Sequence, residues 1–290
     1  MSKAGDVMSK AARSYLFVPG NRPERFDKAI ASGADVVILD LEDAVAPNDK
    51  DAARAAVGVW LGAAKHVALR INGATTPWFA ADLDLCRQPG VAAVLLPKAE
   101  HPNEIRAVTQ ALAHDGRAQK EGAVLPIIET ALGMSRVDGL ADTPGVARLV
   151  FGTLDFRVDL GIVGDDTAMG DEEELAFFRS RLVLASRLAQ LQPPVDGVTS
   201  VLDDPARIEA DTRRARRFGF GAKLCIHPKQ IPIVHRAFAP SAAQVDWARR
   251  VLAAVQASGG SAVQVDGKMV DQPVILQAQA VLACAGESQP

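Results

Sequence analysis

Short apolar runs alternate with amphipathic, helix-like segments along most of the chain. Several of these runs are apolar on both faces, which is typical of buried parallel strands. The eight runs are SYLFVP (14–19), ADVVILDLEDAV (34–45), HVALRIN (66–72), VAAVLLPK (91–98), VLPIIET (124–130), RLVFGTLDF (148–156), PPVDGVTSVL (193–202) and AKLCIHP (222–228). Because a helical segment follows each run, the pattern predicts a parallel sheet with right-handed crossovers. Eight such units predict an α/β fold, a closed (β/α)8 TIM barrel.

An open, doubly wound sheet is the alternative architecture. It is disfavoured because no GxGxxG motif follows the first strand, and because polar residues end nearly every strand instead of clustering at one switch point. The pattern breaks at APSAAQ (239–244), after which we expect a helix, a small hairpin at VDGK (265–268) and a final helix. The predicted domains are a barrel over residues 1–238 and a C-terminal helical arm over residues 239–290.

Composition and charge narrow the class of protein. The chain has 290 residues and a formal net charge of −3, which argues against a nucleic-acid-binding protein with a basic surface stripe. The cysteines are far apart and show no CxxC spacing, which predicts neither a disulfide framework nor a zinc cluster. The first residues lack an apolar signal core, and no run of about 18 apolar residues occurs. We therefore expect a soluble, cytoplasmic protein.

Polar residues follow the predicted strands, where TIM barrels build their active sites. The set comprises Asn21, Arg22, Asp40, Glu42, Asp43, Arg70, Lys98, Glu129, Asp155, Asp196 and His227. Glu129 and Asp155 are expected at the ends of successive buried strands, where they suit Mg²⁺, although helix caps or salt-bridge partners would explain them equally well. The planar fork of Arg70 suits a carboxylate. Together they describe a site for a small α-keto or α-hydroxy acid chelated by a metal, with carbon–carbon chemistry beside its carbonyl.

Several motifs resemble one known family. These are RSYLFVPGNRPERFDKA, GADVVILDLEDAVAPNDKDAAR, LRIN, LLPKAE, IIETALG, FGTLDF and CIHPKQI. They resemble the citrate lyase β-subunit family, which is grouped with malyl-CoA and citramalyl-CoA lyases among the metal-dependent aldolases. The resemblance implies a (β/α)8 barrel in trimers or hexamers, with Mg²⁺ on Glu129 and Asp155 and a substrate carboxylate on Arg70. It also implies contacts of Arg22 and Lys28 with the phosphates of coenzyme A.

The C-terminal segment adds a further resemblance. GKMVDQPVILQAQAVL (267–282) resembles the arm of malyl-CoA lyases and malate-synthase-like enzymes. In those enzymes an aspartate of the neighbouring subunit exchanges a proton with the acetyl methyl group of acetyl-CoA, and Asp271 matches that residue. Position alone favours a different role, in which Asp271 caps the last helix ahead of Pro273.

The predicted function is a Mg²⁺-dependent lyase acting on a 3-hydroxyacyl-CoA such as malyl-CoA or citramalyl-CoA. It would release acetyl-CoA and a 2-keto acid reversibly, with Arg70 and Asp271 as its catalytic residues. One alternative is a citrate lyase β-subunit that cleaves a citryl-thioester on an acyl carrier protein to oxaloacetate. Another is a non-catalytic barrel that only binds coenzyme A or an organic acid.

Other residues carry weaker expectations. Asp40, Glu42 and Asp43 are expected either to orient Arg70 and metal-bound water or to form ion pairs at the barrel rim. Lys98 is expected in a structural salt bridge, and His227 in a hydrogen bond to a loop. Arg157 departs from the small residue expected in relatives, and we expect it to pair with Asp159 or to narrow the pocket. The arginine-rich segment 213–217 is expected to be a solvated helix face.

Overall fold

A computed structural model describes residues 12–62, 66–113, 123–162, 172–258 and 263–286. The chain divides into two compact units, Met1–His235 and Arg236–Pro290. The boundary predicted from the sequence lies a few residues later, after residue 238. The segment GIVGDDTAMG (161–170), for which the sequence predicts an acidic, glycine-rich surface loop, lies mostly outside the described residues. Most of the polar N-terminal segment before residue 14 lies outside them as well.

The first unit contains the predicted barrel. Within the described residues, eight parallel strands follow one another in chain order, and the last pairs with the first to close the sheet. The strands are β1 (Ser14–Pro19), β2 (Val36–Asp40), β3 (Val67–Arg70), β4 (Val91–Leu96), β5 (Ala123–Ile128), β6 (Val150–Phe151), β7 (Val195–Asp196) and β8 (Ala222–Cys225). The (β/α)8 prediction is therefore confirmed. Parallel order places the carboxyl ends of all the strands at one end of the barrel.

Helices connect the strands around the barrel. They are α1 (Phe26–Ile30), α2 (Lys50–Trp60), α3 (Phe79–Cys86), α4 (Pro102–Leu112), α5 (Ala131–Ser135), α6 (Val137–Ala141), α7 (Thr153–Asp159), α8 (Ala176–Leu188), α9 (Pro205–Phe218) and α10 (Ile231–Phe238). Helix α9 ends where Gly219 takes a φ of 101°, a left-handed conformation that glycine adopts without strain.

The barrel interior is filled by side chains from alternate positions of its strands. They include Tyr15, Val36, Ile38, Ala68, Ala93, Leu95, Leu125, Ile127, Val150, Val195, Ala222 and Leu224. Full burial of one large aliphatic side chain contributes about 1.5–3 kcal/mol, so this packed interior is a main source of the free energy of folding. Because the interior is solid, the strand ends have a rigid support on which to hold polar side chains.

The predicted strand at 148–156 is wrong in its second half. The strand β6 ends at Phe151, and the residues after Gly152 form helix α7. The apolar run resembles a strand because Phe156 is buried, but its ring packs against other rings from the face of a helix, with centroids 5.2 Å from Phe151 and 4.7 Å from Phe178. Leu154, which also belongs to the run, is 53% exposed. Asp155 therefore lies in the first turn of a helix and not at a strand end.

The second unit contains the predicted helices and hairpin. Helix α11 (Ala242–Ala257) begins with a capping box between Ser241 and Gln244. The antiparallel strands β9 (Val263–Val265) and β10 (Lys268–Val270) are joined by Asp266 and Gly267, which both have positive φ, and helix α12 (Gln272–Cys284) follows. The hairpin at VDGK is confirmed. No helix among the described residues is both long and apolar enough to cross a membrane.

Candidate active site

A cavity of about 330 Å³ opens at the carboxyl ends of the barrel strands. Its polar lining includes Arg70, Glu129 and Asp155, the three residues that the strand ends single out in the sequence. Its apolar wall is formed by side chains that include Phe17, Phe151, Val198, Leu224 and Ile226. The cavity is thus apolar around a small charged centre, as small-molecule sites usually are.

Glu129 follows the last residue of β5 and is buried. One oxygen, Oε1, accepts the backbone N–H of Lys98 at 2.8 Å, and the Lys98 ammonium lies 3.9 Å from the same oxygen. Burial raises the pKa of Glu129 to about 8, and the nearby carboxylates of Glu42 and Asp155 add to the rise, which Lys98 only partly offsets. A carboxylate in such a setting gains from a cation.

Gly152 makes room for the Glu129 side chain. A Cβ at Gly152 would lie 2.5 Å from the Cβ of Glu129, 2.9 Å from Cγ2 of Ile127, and closer still to Glu129 Oε2. Real Cβ atoms do not approach other atoms so closely, so any larger residue would push the carboxylate out of its place. The short β6 strand thus serves the site by ending at this glycine.

Asp155 reaches the cavity from the first turn of α7, with its side chain 41% exposed. Its Oδ1 lies 3.7 Å from the ammonium of Lys98. Two residues further along the same helix, Arg157 forms an ion pair with Glu174. The predicted pairing of Arg157 with Asp159 is wrong, because Asp159 accepts the backbone N–H of Ala131 at 2.6 Å, at the start of α5.

Arg70, at the end of β3, is held by acidic neighbours. Its Nε and Nη2 donate to the two carboxylate oxygens of Asp40 at 2.7 and 2.6 Å, a bidentate pair. Its Nη1 lies 3.1 Å from Glu42 and 3.9 Å from Asp43, and its guanidinium carbon is 4.6 Å from the centre of the Phe17 ring. Burial alone would lower the pKa of Arg70, but the charge of Asp40 outweighs burial and raises it. The acids after β2 thus form ion pairs with this arginine and fix its orientation, so the two expectations for them describe the same contacts.

Glu42 connects Arg70 with Lys98. Its backbone N–H donates to Asp40 Oδ1 at 2.9 Å, and its Oε1 accepts the Lys98 ammonium at 2.9 Å. The buried ammonium of Lys50 donates to the backbone carbonyls of Leu41 and Glu42, each at 2.7 Å, which fixes the turn after β2. Burial raises the pKa of Glu42, although Arg70 and Lys98 counteract the rise. Its other oxygen, Oε2, is buried and forms an ion pair with Nη1 of Arg70 at 3.1 Å.

These residues fit an open Mg²⁺ site. Mg²⁺ usually takes one or two carboxylates and completes its shell with water and substrate oxygens. Glu129 and Asp155 line one cavity and supply that donor set. No closed cage of three or more His, Cys, Asp or Glu side chains occurs in the part of the chain that the structure describes. The donor set thus suits a hard cation with open positions and not a structural zinc ion.

Comparison with known families decides the membership of the chain. A sequence profile of the HpcH/HpaI aldolase/citrate lyase family matches residues 13–228, a span that includes every strand of the barrel. The chain belongs to the HpcH/HpaI aldolase/citrate lyase family. The resemblance inferred from the strand-end motifs is confirmed, and so is the prediction of an enzyme of the lyase class.

Three relatives place the chain within that family. A citrate lyase subunit beta-like protein of Deinococcus radiodurans is 36% identical over 286 residues, which cover 93% of this chain and 96% of the relative. An L-malyl-CoA/beta-methylmalyl-CoA lyase of Cereibacter sphaeroides is 33% identical over 300 residues, covering 93% of each chain. The crystal structure of protein CitE from Mycobacterium tuberculosis in complex with magnesium, acetoacetate and coenzyme A matches with a TM-score of 0.83 and 35% identity, covering 96% of this chain and 100% of that chain. The magnesium of that relative agrees with the cofactor predicted for this chain.

The remaining predicted site residues of this family member lie elsewhere. Arg22 is half exposed and donates to Glu24 at 2.9 Å, while Lys28 is exposed on α1. Asp271 lies in the second unit, where its Oδ1 accepts the N–H of Val274 at 3.3 Å. The helix-capping role foreseen for Asp271 is thus present in the chain. The roles of Arg22, Lys28 and Asp271 toward a substrate stay predictions.

Two strand-end residues, Asp196 and His227, do not line the cavity and bond to other groups. Asp196, the last residue of β7, is buried and accepts Nε–H of Arg179 at 3.0 Å, which ties the barrel to α8. His227 caps the short 3₁₀ turn Pro228–Gln230 by accepting the N–H of Lys229 at 3.1 Å, in agreement with the expected loop contact.

The predicted solvated face at 213–217 is wrong for Arg214 and Ala215, which are both buried. Arg214 is buried, with its side chain only 5% exposed. It pairs with Asp211 at 3.0 Å and with Glu172 at 2.7 Å. A helix of this composition packs one arginine inward because acidic partners meet it there, a condition that the local sequence does not reveal.

Two residues that shape the site, Gly152 and Lys50, were not predicted from the sequence. Gly152 acts by leaving space, and its only sequence signal is its position directly after an apolar strand. Lys50 acts through the backbone carbonyls of Leu41 and Glu42, and it lies in a segment that otherwise resembles an ordinary polar helix start. Side-chain chemistry alone could have found neither residue.

Proposed function

We propose that this protein is a Mg²⁺-dependent carbon–carbon lyase that acts on a 3-hydroxyacyl-CoA such as malyl-CoA or citramalyl-CoA. The products would be acetyl-CoA and a 2-keto acid, and the reaction would be reversible. The observation that carries the proposal is the meeting of Arg70, Glu129 and Asp155 in one cavity at the carboxyl end of the barrel. The malyl-CoA lyase among the relatives supports this choice of substrate class.

The chemistry required is a cleavage of the retro-aldol type, the reverse of adding a thioester enolate to a keto acid. The bond between the carbon that bears the hydroxyl group and the carbon next to the thioester breaks. The hydroxyl group loses its proton and becomes the carbonyl of the keto acid, and the carbon next to the thioester gains a proton to become a methyl group. A bound Mg²⁺, held by Glu129 and Asp155, would act as a Lewis acid toward oxygens of the hydroxy acid.

Arg70 would orient the substrate. Asp40 engages Nε and Nη2, so the guanidinium plane is fixed while an N–H of Nη1 and the second N–H of Nη2 stay available for a carboxylate. Phe17 lies against the guanidinium and closes one side of that position. A substrate bound through a fixed fork loses little further freedom on its way to the transition state, which is how positioning accelerates a reaction.

Asp271 and the basic residues of the first helical turn complete the proposal. Asp271 of a neighbouring subunit would deliver the proton to the methyl carbon and remove it in the synthetic direction, as the resemblance to malyl-CoA lyases implies. Arg22 and Lys28 would contact the phosphates of coenzyme A, and both are exposed as that role requires. This arrangement requires a homo-oligomer, a trimer or a hexamer by resemblance.

The test is an assay of the purified chain with malyl-CoA and citramalyl-CoA, with Mg²⁺ and with a chelator. We expect Mg²⁺-dependent release of acetyl-CoA, and a loss of about 10²–10⁴-fold in kcat for Asp271→Asn, as for removal of a general acid or base. Mixing inactive Asp271→Asn with inactive Glu129→Gln subunits should restore part of the activity if Asp271 acts across subunits. A chain without activity on either thioester would contradict the proposal, and wild-type rates for Asp271→Asn would refute the role of that residue.

A citrate lyase β-subunit function is the second candidate. The name of the relative from Deinococcus radiodurans supports it, whereas the resemblance of the arm to malyl-CoA lyases favours the first candidate. The two differ in the carrier of the acyl group, which is an acyl carrier protein in one case and free coenzyme A in the other. A purified chain that turns over CoA thioesters without any partner would decide for the first candidate.

A further inference from the structure

Lys98 has an unusual backbone conformation for its position. Its φ is 47°, and only a few non-glycine residues in the described part of the chain have a positive φ. Left-handed conformations strain residues that carry a Cβ, so they persist where the surroundings enforce them. At Lys98 the strained backbone aims its N–H at Glu129 Oε1, 2.8 Å away. The strained backbone of Lys98 thus places a hydrogen-bond donor at the candidate metal site.

The side chain of Lys98 returns to the same place as its backbone. The ammonium lies 2.9 Å from Glu42 Oε1, 3.7 Å from Asp155 Oδ1 and 3.9 Å from Glu129 Oε1. We call Glu42, Glu129 and Asp155 the acidic cluster. A salt bridge with Glu42 alone would not require the ammonium to lie within 4.0 Å of the other two carboxylates. The ammonium is thus positioned as the shared cation of the acidic cluster.

We propose that Lys98 is the resident counter-cation of the acidic cluster, against which a divalent cation bound by Glu129 and Asp155 has to compete. Lys98 is then a positioning residue that holds the carboxylates together and sets how tightly the metal binds. The proposal rests on the metal site in the proposed function.

Electrostatics gives the direction of the effect. An ammonium a few ångströms from a divalent ion repels it, and the repulsion is strong near a partly buried site. The Lys98 side chain is 44% exposed, so it can keep its bond to Glu42 or turn to solvent when a metal takes the other two carboxylates. Replacing lysine by a neutral residue should therefore strengthen metal binding and, without metal, leave the buried carboxylates uncompensated.

Calorimetric titration of MgCl₂ into the chelator-stripped full chain tests the proposal. We expect Lys98→Met and Lys98→Gln to bind Mg²⁺ at least about tenfold more tightly than the wild type. Lys98→Arg keeps the charge and should stay within about threefold of the wild-type Kd. Because methionine, glutamine and arginine all carry an unbranched Cβ, the three variants meet the same backbone strain and differ in charge and shape. Two neutral variants also guard against a folding defect in one of them.

Melting in EDTA provides a second, metal-independent measurement. The two neutral variants should melt about 3 °C or more below the wild type, and Mg²⁺ should raise their Tm by more than it raises that of the wild type. Lys229→Met is the matched control, because it removes the same charge from a residue that is 71% exposed and pairs only loosely with Asp203 at 3.7 Å. It should change neither the Kd nor the Tm.

The outcomes separate this proposal from the proposed function. Neutral variants that bind Mg²⁺ no more tightly than the wild type, or that melt like it in EDTA, would overturn the role of Lys98. If Lys98→Arg tightened binding as much as Lys98→Met, charge would not be the cause and the proposal would also fail. If the metal titrations agree with expectation while no thioester is cleaved, the proposed reaction fails and the role of Lys98 stands.

Discussion

Two carboxylates at opposite ends of the barrel have opposite pKa shifts. At the amino end, Asp35 Oδ2 accepts the backbone N–H groups of Arg13 and Ser14 at 2.8 and 3.1 Å and lies 3.0 Å from His235 Nε2. Burial would raise its pKa, but these partners outweigh burial and lower it to about 2. At the carboxyl end, Glu129 receives one backbone N–H, and burial raises its pKa to about 8.

The difference lies in how completely each carboxylate is satisfied by its own chain. The amino end is built for stability, since its charged groups find local partners; Arg148, for example, donates to the carbonyl of Ala12 at 3.0 Å and to the hydroxyl of Tyr15 at 3.2 Å. At the carboxyl end, Glu129 accepts one backbone N–H, and it shares the nearby ammonium of Lys98 with Glu42 and Asp155. TIM barrels carry their active sites at the carboxyl end, and the incompletely compensated charge of its carboxylates favours the binding of a cation there.

The largest expected effect is the loss of activity when the carboxyl-end acids are neutralised. Glu129→Gln and Asp155→Asn should each lower kcat/KM for malyl-CoA by about 10³-fold or more, because Lewis-acid stabilisation contributes several kcal/mol. Asp35→Asn should leave kcat/KM unchanged at a temperature where the protein stays folded. A comparable loss of activity in Asp35→Asn would remove the distinction between the two ends.

A smaller but still large effect is expected from filling the space beside Glu129. Gly152→Ala should lower activity about 10²-fold, because the new Cβ displaces the carboxylate, and displacements of about 1 Å can cost that much. Gly139→Ala is the control, since a Cβ there meets no atom within 4 Å. Equal activities of the two variants, measured with the same protein concentration and Mg²⁺, would show that Gly152 has no such role.

The raised pKa of Glu129 predicts a pH dependence of metal binding. Mg²⁺ binds the ionised carboxylate, so protons compete with it below pH 8, and the Kd should rise about tenfold per pH unit between pH 8 and pH 6. Titration calorimetry at several pH values measures this slope. An affinity that stays constant down to pH 6 would mean that Glu129 is ionised throughout and that its environment differs from the one described.

The smallest effects are changes of stability with opposite sign at the two ends. A carboxyl group with a lowered folded-state pKa stabilises above its unfolded pKa, so Asp35→Asn should lower the free energy of unfolding by about 2 kcal/mol at neutral pH, and this difference should vanish as the pH falls from about 3.8 through 2. The raised pKa of Glu129 has the opposite effect on the free energy of unfolding. Because the folded state holds the proton more tightly, this free energy falls as the pH rises from about 4.5 through 8. Glu129→Gln in EDTA should therefore be more stable than the wild type at pH 8.5.

Urea unfolding of both variants, followed by circular dichroism, checks the two signs. The amino-end variant should unfold at lower urea and the carboxyl-end variant at higher urea than the wild type. Two shifts of the same sign would contradict the explanation of the pKa values by donor count.

The sequence predicted the barrel and the centre of the site for simple reasons. Eight apolar runs followed by helices leave few parallel topologies, and the strand-end rule then gives eleven polar residues. The ligand preferences of Mg²⁺ and of a carboxylate select Arg70, Glu129 and Asp155 from that set. The rule succeeded for Asp155 although its element was wrong, because the first turn of α7 begins directly after the strand end.

What escaped prediction depends on contacts between distant segments. The partner of Arg157 is Glu174, and a segment outside the described residues separates the two along the chain. The burial of Arg214 requires Glu172 to approach from another element. The space beside Gly152 becomes visible only when Glu129 and Gly152 lie side by side in neighbouring segments. Local patterns carry no information on such approaches.

We infer that the carboxyl end of the barrel is an incomplete ion site that a divalent cation completes. Titration of Mg²⁺ into the chelator-stripped chain at pH 8.5, for the wild type, Glu129→Gln, Asp155→Asn and Asp35→Asn, tests it directly. We expect one ion to bind per chain in the wild type and in Asp35→Asn, and no measurable binding in the two carboxyl-end variants. Binding that persists unchanged in Glu129→Gln and Asp155→Asn would contradict it.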